Sequence, residues 1–231
     1  MKAGTHRTRA VVLRRTNYGE ADRILDLLTP DGRMSVMARG VRKEKSKLAG
    51  GIELFAVCDV VIGRGRGDLG VLMSARLVAF YRHILEDYDR TQFAYETLAQ
   101  IAKMSNDLDE VAWYDIAAEV LAGLDVLSVP LPLIQTWFYV RVSVLLGEEL
   151  SVTRDVKGEK LKAETAYRYD STEKAFVEDI RGSVTAEHIK ILRLVGSKPL
   201  NVILQVGGME SYLAECLDVA RRHAALERVL K

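Results

Sequence analysis

The sequence predicts an α+β chain in which a small five-stranded antiparallel barrel, residues 1–80, precedes a mainly helical domain, residues 81–231. Two observations carry this. Apolar residues alternate with a period of two up to Phe80 and recur at helical spacing beyond it. The charge balance turns over at the same place: residues 1–80 hold 15 Lys and Arg against 8 Asp and Glu, whereas residues 81–231 hold 18 against 24. So basic a segment in a chain of net charge +1 marks a polyanion-binding module. With 48% hydrophobic and 28% charged residues the composition is that of a globular chain, which excludes disordered, collagenous and coiled-coil classes.

Residues 9–15 and 22–29 are the first two strands, separated by Thr16-Asn17-Tyr18-Gly19, and Pro30-Asp31-Gly32 is a tight hairpin signal. In the third strand, residues 33–39, Met34, Val36 and Ala38 share one face while Arg33, Ser35, Met37 and Arg39 share the other. A basic loop, 40–51, leads to a strand at 53–62, and a glycine-rich turn, 63–70, leads to the last strand at 71–80. Five short antiparallel strands make a small barrel.

Beyond residue 80, Asp89 is placed as the N-cap of a helix over 90–104 with Phe93, Leu98, Ile101 and Ala102 inward, and Asp109 as the cap of a helix reaching Leu124. Pro130 and Pro132 open a third helix. Its apolar residues Ile134, Trp137, Phe138, Val142 and Leu145 surround the axis, so it lies centrally until Gly147 ends it. Residues 148–182 show no sustained period and read as irregular chain or a short hairpin. Helical spacing returns over 185–196 and 209–230, the latter with Leu213, Cys216, Leu217, Ala220 and Ala224 on one stripe.

Two distant cysteines, Cys58 and Cys216, build neither a disulfide framework nor a four-thiolate zinc site and fit a reducing cytosol. Lys2, Arg7 and Arg9 near the N-terminus are followed by no apolar run of the secretory kind. The most apolar stretch, 131–146, is interrupted by Gln135 and Arg141 and falls short of the roughly 20 residues of a bilayer span. A cytoplasmic protein without membrane contact is expected. His6, His83, His188 and His223 are scattered, and the adjacent Glu148 and Glu149 point in different directions on a helix, so no catalytic set is assembled and no enzyme, metal or cofactor is expected. Gly65-Arg66-Gly67-Asp68-Leu69-Gly70 has dinucleotide-loop spacing, but such a loop opens a helix and the residues that follow read as a strand, which predicts a hairpin tip.

The strongest local feature is Arg39-Gly40-Val41-Arg42-Lys43-Glu44-Lys45-Ser46-Lys47, five cations in nine residues on a predicted loop. Phosphates attract such a run because neutralising them releases condensed counterions. A cationic run standing alone is more often a solvated loop, and neighbouring cations weaken that reading: Arg33 on the adjacent strand face and Arg64 and Arg66 in the glycine-rich turn, with Arg14 and Arg15 on the first strand extending the patch if the barrel closes. The expected contacts to nucleic acid are therefore Arg14, Arg15, Arg33, Arg39, Arg42, Lys43, Lys45, Lys47, Arg64 and Arg66. Residues 1–80 offer only Tyr18, Phe55 and Phe80 as aromatic platforms, and Phe55 has core-like neighbours, so phosphate contacts should dominate with weak sequence preference. The same cations would serve a scaffold whose barrel grips an acidic protein.

Val11-Val12-Leu13-Arg14-Arg15, Tyr18-Gly19-Glu20-Ala21-Asp22-Arg23-Ile24, Leu28-Thr29 and Gly32-Arg33-Met34-Ser35 together resemble the N-terminal domain of the bacterial recombination mediator RecO family. The basic loop extends the resemblance through Ala38-Arg39-Gly40-Val41-Arg42-Lys43 and Lys45-Ser46-Lys47-Leu48, and the apolar helix ending in Leu145-Leu146-Gly147 adds a match farther on. The resemblance implies an OB-fold barrel followed by a helical domain. It implies binding of single- and double-stranded DNA, strand annealing, and help in loading RecA onto single-stranded DNA coated by SSB, with RecR and the SSB C-terminal tail as partners and the nucleoid as location. Many relatives carry a four-cysteine zinc module after the apolar helix. This chain has no cysteine between residues 150 and 182, so metal is not carried over, and Tyr167, Tyr169, Phe176 and Val177 are expected to hold a metal-free remnant by packing. For the acidic SSB tail, Arg82, His83, Arg90 and Arg141 are candidates because they lie beside apolar helix faces.

Overall fold

Five strands, β1 (His6–Tyr18), β2 (Asp22–Thr29), β3 (Gly32–Ala38), β4 (Ala56–Arg66) and β5 (Leu69–Phe80), close into a barrel in the order β1-β2-β3-β5-β4. They are seen in a computed structural model that describes residues 4–105 and 111–224. Neighbours pair antiparallel except β3 and β5, which run parallel where Val36 faces Gly70 and Met37 faces Val71. A Cβ on Gly70 would lie 2.8 Å from Ile62 Cγ2 and 3.2 Å from Val36 Cγ1, so closure needs a glycine there. The glycine-rich run forms the β4–β5 hairpin, with Gly67 in the left-handed region at φ +63°, and a strand follows it.

Ala10, Val12, Leu25, Leu27, Val36, Ala38, Cys58, Val60, Ile62 and Leu72 fill the barrel. Val36 and Ala38 are buried as the alternation predicts, and Met34 packs against the same core. On β1, however, Ala10 through Leu13 are all buried. Ala10 and Val12 face the barrel core, and Val11 and Leu13 lie on the other side, where two helices, α1 (Tyr88–Met104) and α2 (Ala112–Leu124), pack on β1. A strand apolar on both faces needs a second layer. Strands give way to helices at Phe80, as predicted, while packing divides the chain into Met1–Val126 and Leu127–Lys231, so α1 and α2 belong with the barrel.

The N-cap of α1 is Asp87 rather than Asp89: a preceding single turn, Arg82–Glu86, leaves Asp87 extended, and its Oδ1 accepts the Arg90 amide at 2.9 Å. Asp89 falls in the first turn, where its charge opposes the helix dipole. The predicted cap Asp109 lies outside the described residues. Phe93, Leu98 and Ile101 are buried, and Ala102 is half-buried with its carbonyl accepting from Arg33.

That contact belongs to a network around Asp26, which is only 5% exposed on β2. Its carboxylate accepts from Arg14 Nε at 3.1 Å and Ser35 Oγ at 2.8 Å, and meets Arg33 Nη2 at 3.3 Å. One buried carboxylate thereby joins β1, β2 and β3, and through Arg33 the end of α1.

In the second unit, α3 (Leu131–Leu145) is buried nearly all round, and Gly147 at φ +77° follows its end. Against it pack α4 (Ala186–Ser197) and α6 (Leu213–Ala224), with a short α5 (Leu200–Ile203) between them that the sequence reading does not anticipate. On α6, Leu213, Cys216, Ala220 and Ala224 are buried together with Val219 and His223, and residues 225–230 of the predicted helix lie outside the described residues. Within 148–182 a short hairpin forms, β6 (Tyr167–Asp170) with β7 (Ala175–Glu178), and it buries Tyr167, Tyr169 and Phe176. Burial pushes the Cys58 thiol up to about 11 and the Cys216 thiol up to about 12, so both stay protonated at neutral pH.

His223 bridges this hairpin to the end of α3. A carbonyl can only accept, so Nε2 donates to the Glu148 carbonyl at 2.6 Å, and Nδ1 accepts from the Tyr169 hydroxyl at 2.7 Å. Burial lowers the pKa of His223, and also that of His188, whose Nδ1 accepts the Thr185 amide at 3.0 Å in a capping box. Both rings fold neutral, so an unfolded chain takes up protons first as pH falls. Their contribution is full above about pH 6.5 and is lost as pH drops through that value toward the folded-state pKa values. Urea titrations are therefore expected to show a falling midpoint between pH 7 and pH 5, with a shallower fall in His223→Gln. Asp26→Ala takes the carboxylate away from the half-buried Arg33, which keeps its bond to the Ala102 carbonyl, and should lower the unfolding free energy by roughly 3 kcal/mol, whereas Arg14→Ala, on a side chain 70% exposed, should stay within about 1 kcal/mol.

Candidate nucleic-acid interface

The chain leaves β3 through Gly40, in the left-handed region at φ +61°, whose amide donates to Asp22 Oδ1 at 2.6 Å. Arg42 then donates from its amide to the Ala21 carbonyl at 2.9 Å and from Nη1 to the Gly19 carbonyl at 3.3 Å. The basic loop is thus docked on the β1–β2 turn. Val41 and Ile52 are sunk in the barrel core and Leu48 packs against it. The turn Ala49–Gly51 lies so close to β5 that a Cβ on Gly51 would meet the Ala75 carbonyl at 2.6 Å.

With its apolar residues drawn inward, the loop turns its polar ones outward. Arg39, Arg42, Lys43, Lys45 and Lys47 are all exposed, and none forms an ion pair among the described residues. Glu44 is the one acid among residues 39–47. Cations without an ion-pair partner among the described residues, on a fixed backbone, make a surface of positive potential suited to polyanions.

The other expected contacts divide. Arg64 is exposed and unpaired among the described residues, near the β4–β5 turn that the parallel register sets beside β3. The side chain of Arg66 lies outside what the structure describes. Arg14 and Arg33 are drawn to Asp26, and Arg15 donates to Glu53 at 2.8 Å. Arg33, with its side chain 19% exposed, is a residue of the fold. Sequence reasoning missed a second arrangement, in which Arg9 and Arg76 flank Asp59 from the two neighbouring strands, Arg9 at 3.5 Å. Only the strand register brings these three together.

Of the residues considered for tail capture, Arg90 is 4% exposed and donates to the carbonyls of Leu124 and Val126, which closes the end of α2. Arg141 donates to the Gly196 carbonyl and stacks over Trp137, and His83 meets Asp125 at 3.3 Å. Among the described residues no group of three or more His, Cys, Asp or Glu is arranged to hold a metal, and no helix is long and apolar enough to cross a membrane.

Residues 1–81 match the family model for the N-terminal domain of recombination protein O. Relatives called DNA repair protein RecO include those of Roseiflexus sp. (43% identical over 53% of this chain and 42% of the relative), Rubrobacter xylanophilus (31% over 62% and 57%) and Dehalococcoides mccartyi (54% over 32% and 30%). The match spans less than two thirds of each relative's length. The closed five-stranded barrel and the matched residues agree with the resemblance carried by residues 11–48, and residues 1–81 of this chain are similar to the N-terminal domain of recombination protein O.

Proposed function

We propose that this protein is a DNA-binding recombination mediator of the RecF repair pathway, holding strands by their phosphates and letting their bases pair. The observation that carries the reading is the loop of five exposed cations with no carboxylate partner among the described residues, fixed to the barrel by buried apolar residues. Neutralising phosphates lowers the repulsion between two strands, and annealing then needs no catalytic group, so the protein is not an enzyme on this reading. Contacts of this kind carry little sequence information and suit a task that must be performed on any damaged DNA. The contacts are Arg39, Arg42, Lys43, Lys45 and Lys47 with Arg64, while Arg14 and Arg15 lend charge at the margin. The names of the relatives support a role in DNA repair. By the same resemblance the protein works in the cytoplasm at the nucleoid with RecR and the SSB tail, and helps RecA onto coated single strands.

Fluorescence anisotropy of a labelled single-stranded oligonucleotide across a salt series tests the reading. The fourfold variant Arg42→Ala, Lys43→Ala, Lys45→Ala, Lys47→Ala should bind more weakly whatever the base sequence. Its slope of log K against log salt should be shallower by up to about 3, since each lost phosphate contact removes about 0.7. An unchanged slope removes the loop from the interface. No binding by the native chain at low salt would leave the barrel to an acidic protein partner.

A further inference from the structure

Four aromatic side chains of the barrel unit are conspicuously exposed: Tyr18 at 55%, Phe80 at 40%, Tyr88 at 80% and Tyr95 at 51%. Tyr95 packs edge-on against Phe55 at 4.8 Å. Phe80 and Tyr88 lie at the end of β5 and the start of α1, with no hydrogen bond among the described residues joining their segments to the basic loop. Tyr18 is placed differently. It ends β1 directly before the turn on which the loop is docked, and the adjacent Gly19 carbonyl accepts from Arg42. Its partner across the turn is Asp22, whose carboxylate holds the Gly40 amide. Its ring has no aromatic or cationic neighbour and its hydroxyl no hydrogen-bond partner among the described residues.

We infer that Tyr18 is a stacking platform for an unpaired base of a single strand whose phosphates lie on the loop of Arg39, Arg42, Lys43, Lys45 and Lys47. The inference rests on the reading of that loop as a phosphate contact and adds a preference to it. An exposed ring costs solvation of apolar surface, and a base face covers it with a flat partner of similar size. Within a duplex both faces of each base are already stacked, so the platform acts on single strands alone. The two hydrogen bonds from Arg42 and the one from Gly40 tie the loop backbone to the turn that Tyr18 adjoins, so ring and loop are held on one docked segment. Stacking is indifferent to base identity, and weak sequence preference therefore survives.

Anisotropy titrations with three ligands of equal length test this: an intact single strand, the same strand with abasic positions, and a duplex. For the intact strand Tyr18→Ala should bind about 5- to 100-fold more weakly, and Tyr18→Phe close to the native chain. The native chain should lose a similar factor on the abasic strand, and Tyr18→Ala should lose nothing further there. Duplex affinity should be the same in all three proteins. Equal affinity of Tyr18→Ala and the native chain for the intact strand overturns the inference, as does an equal loss on duplex, which would mean that the substitution disturbs the turn. If the fourfold loop variant loses affinity while Tyr18→Ala does not, the stacking role fails and the phosphate reading stands. If the native chain binds no strand, both fail.

Discussion

The barrel closes through two residue pairs, Val36 with Gly70 and Met37 with Val71, and the arrangement of the interface depends on that short parallel contact. Closure brings β5 to β3 and sets the β4–β5 hairpin, with Arg64, beside the strand from which the basic loop departs. It also leaves no room for a side chain at Gly70, because Ile62 and Val36 already occupy the space. Without the pairing, β3 would be an open edge with unsatisfied backbone groups, and the loop after it would have no β5 surface for Gly51 to rest on.

The loop is long, and a long loop without regular structure is usually mobile. This one is tied at short intervals: Gly40 to Asp22, Arg42 to the β1–β2 turn, Val41 and Ile52 in the core, and the Ala49–Gly51 turn on β5. Holding the backbone in place removes much of the ordering entropy that a polyanion would otherwise have to offset on binding. The lysine stems keep their own freedom, which suits contacts to a backbone that repeats without a fixed register.

Much of this was legible in the sequence. Period-two alternation on β3 places Val36 and Ala38 inward, Pro30-Asp31-Gly32 marks the hairpin, and a strand after Gly70 excludes the nucleotide-loop reading. The five loop cations are visible as a run. What was not legible depends on register or on a second layer. Four consecutive buried residues on β1 read equally as a central strand, and only the packing of α1 and α2 shows why both faces are apolar. The Asp87 cap escapes notice because Asp89 two residues later has the same chemistry and the turn that decides between them is irregular. The engagement of Arg14 and Arg33 by Asp26 is invisible because these residues meet across three strands. The short α5 is hidden by its length, four residues after Pro199.

Register also explains where free positive charge ends up. Antiparallel neighbours set cross-strand residues side by side, so a cation on a strand finds any carboxylate the next strand offers: Arg9 and Arg76 share Asp59, and Arg14 finds Asp26. These pairs are partly exposed and individually weak, yet they lower the charge available to a ligand. Residues 39–47 lie outside the ladder, and their one acid, Glu44, cannot neutralise five cations. The segment that makes no sheet hydrogen bonds therefore keeps its charge, and on the strands Arg64, near the β4–β5 turn, keeps its own as well. Arg9, Arg14, Arg33 and Arg76 meet carboxylates across the strands while the loop cations face solvent, a division that follows from pairing geometry before any ligand is considered.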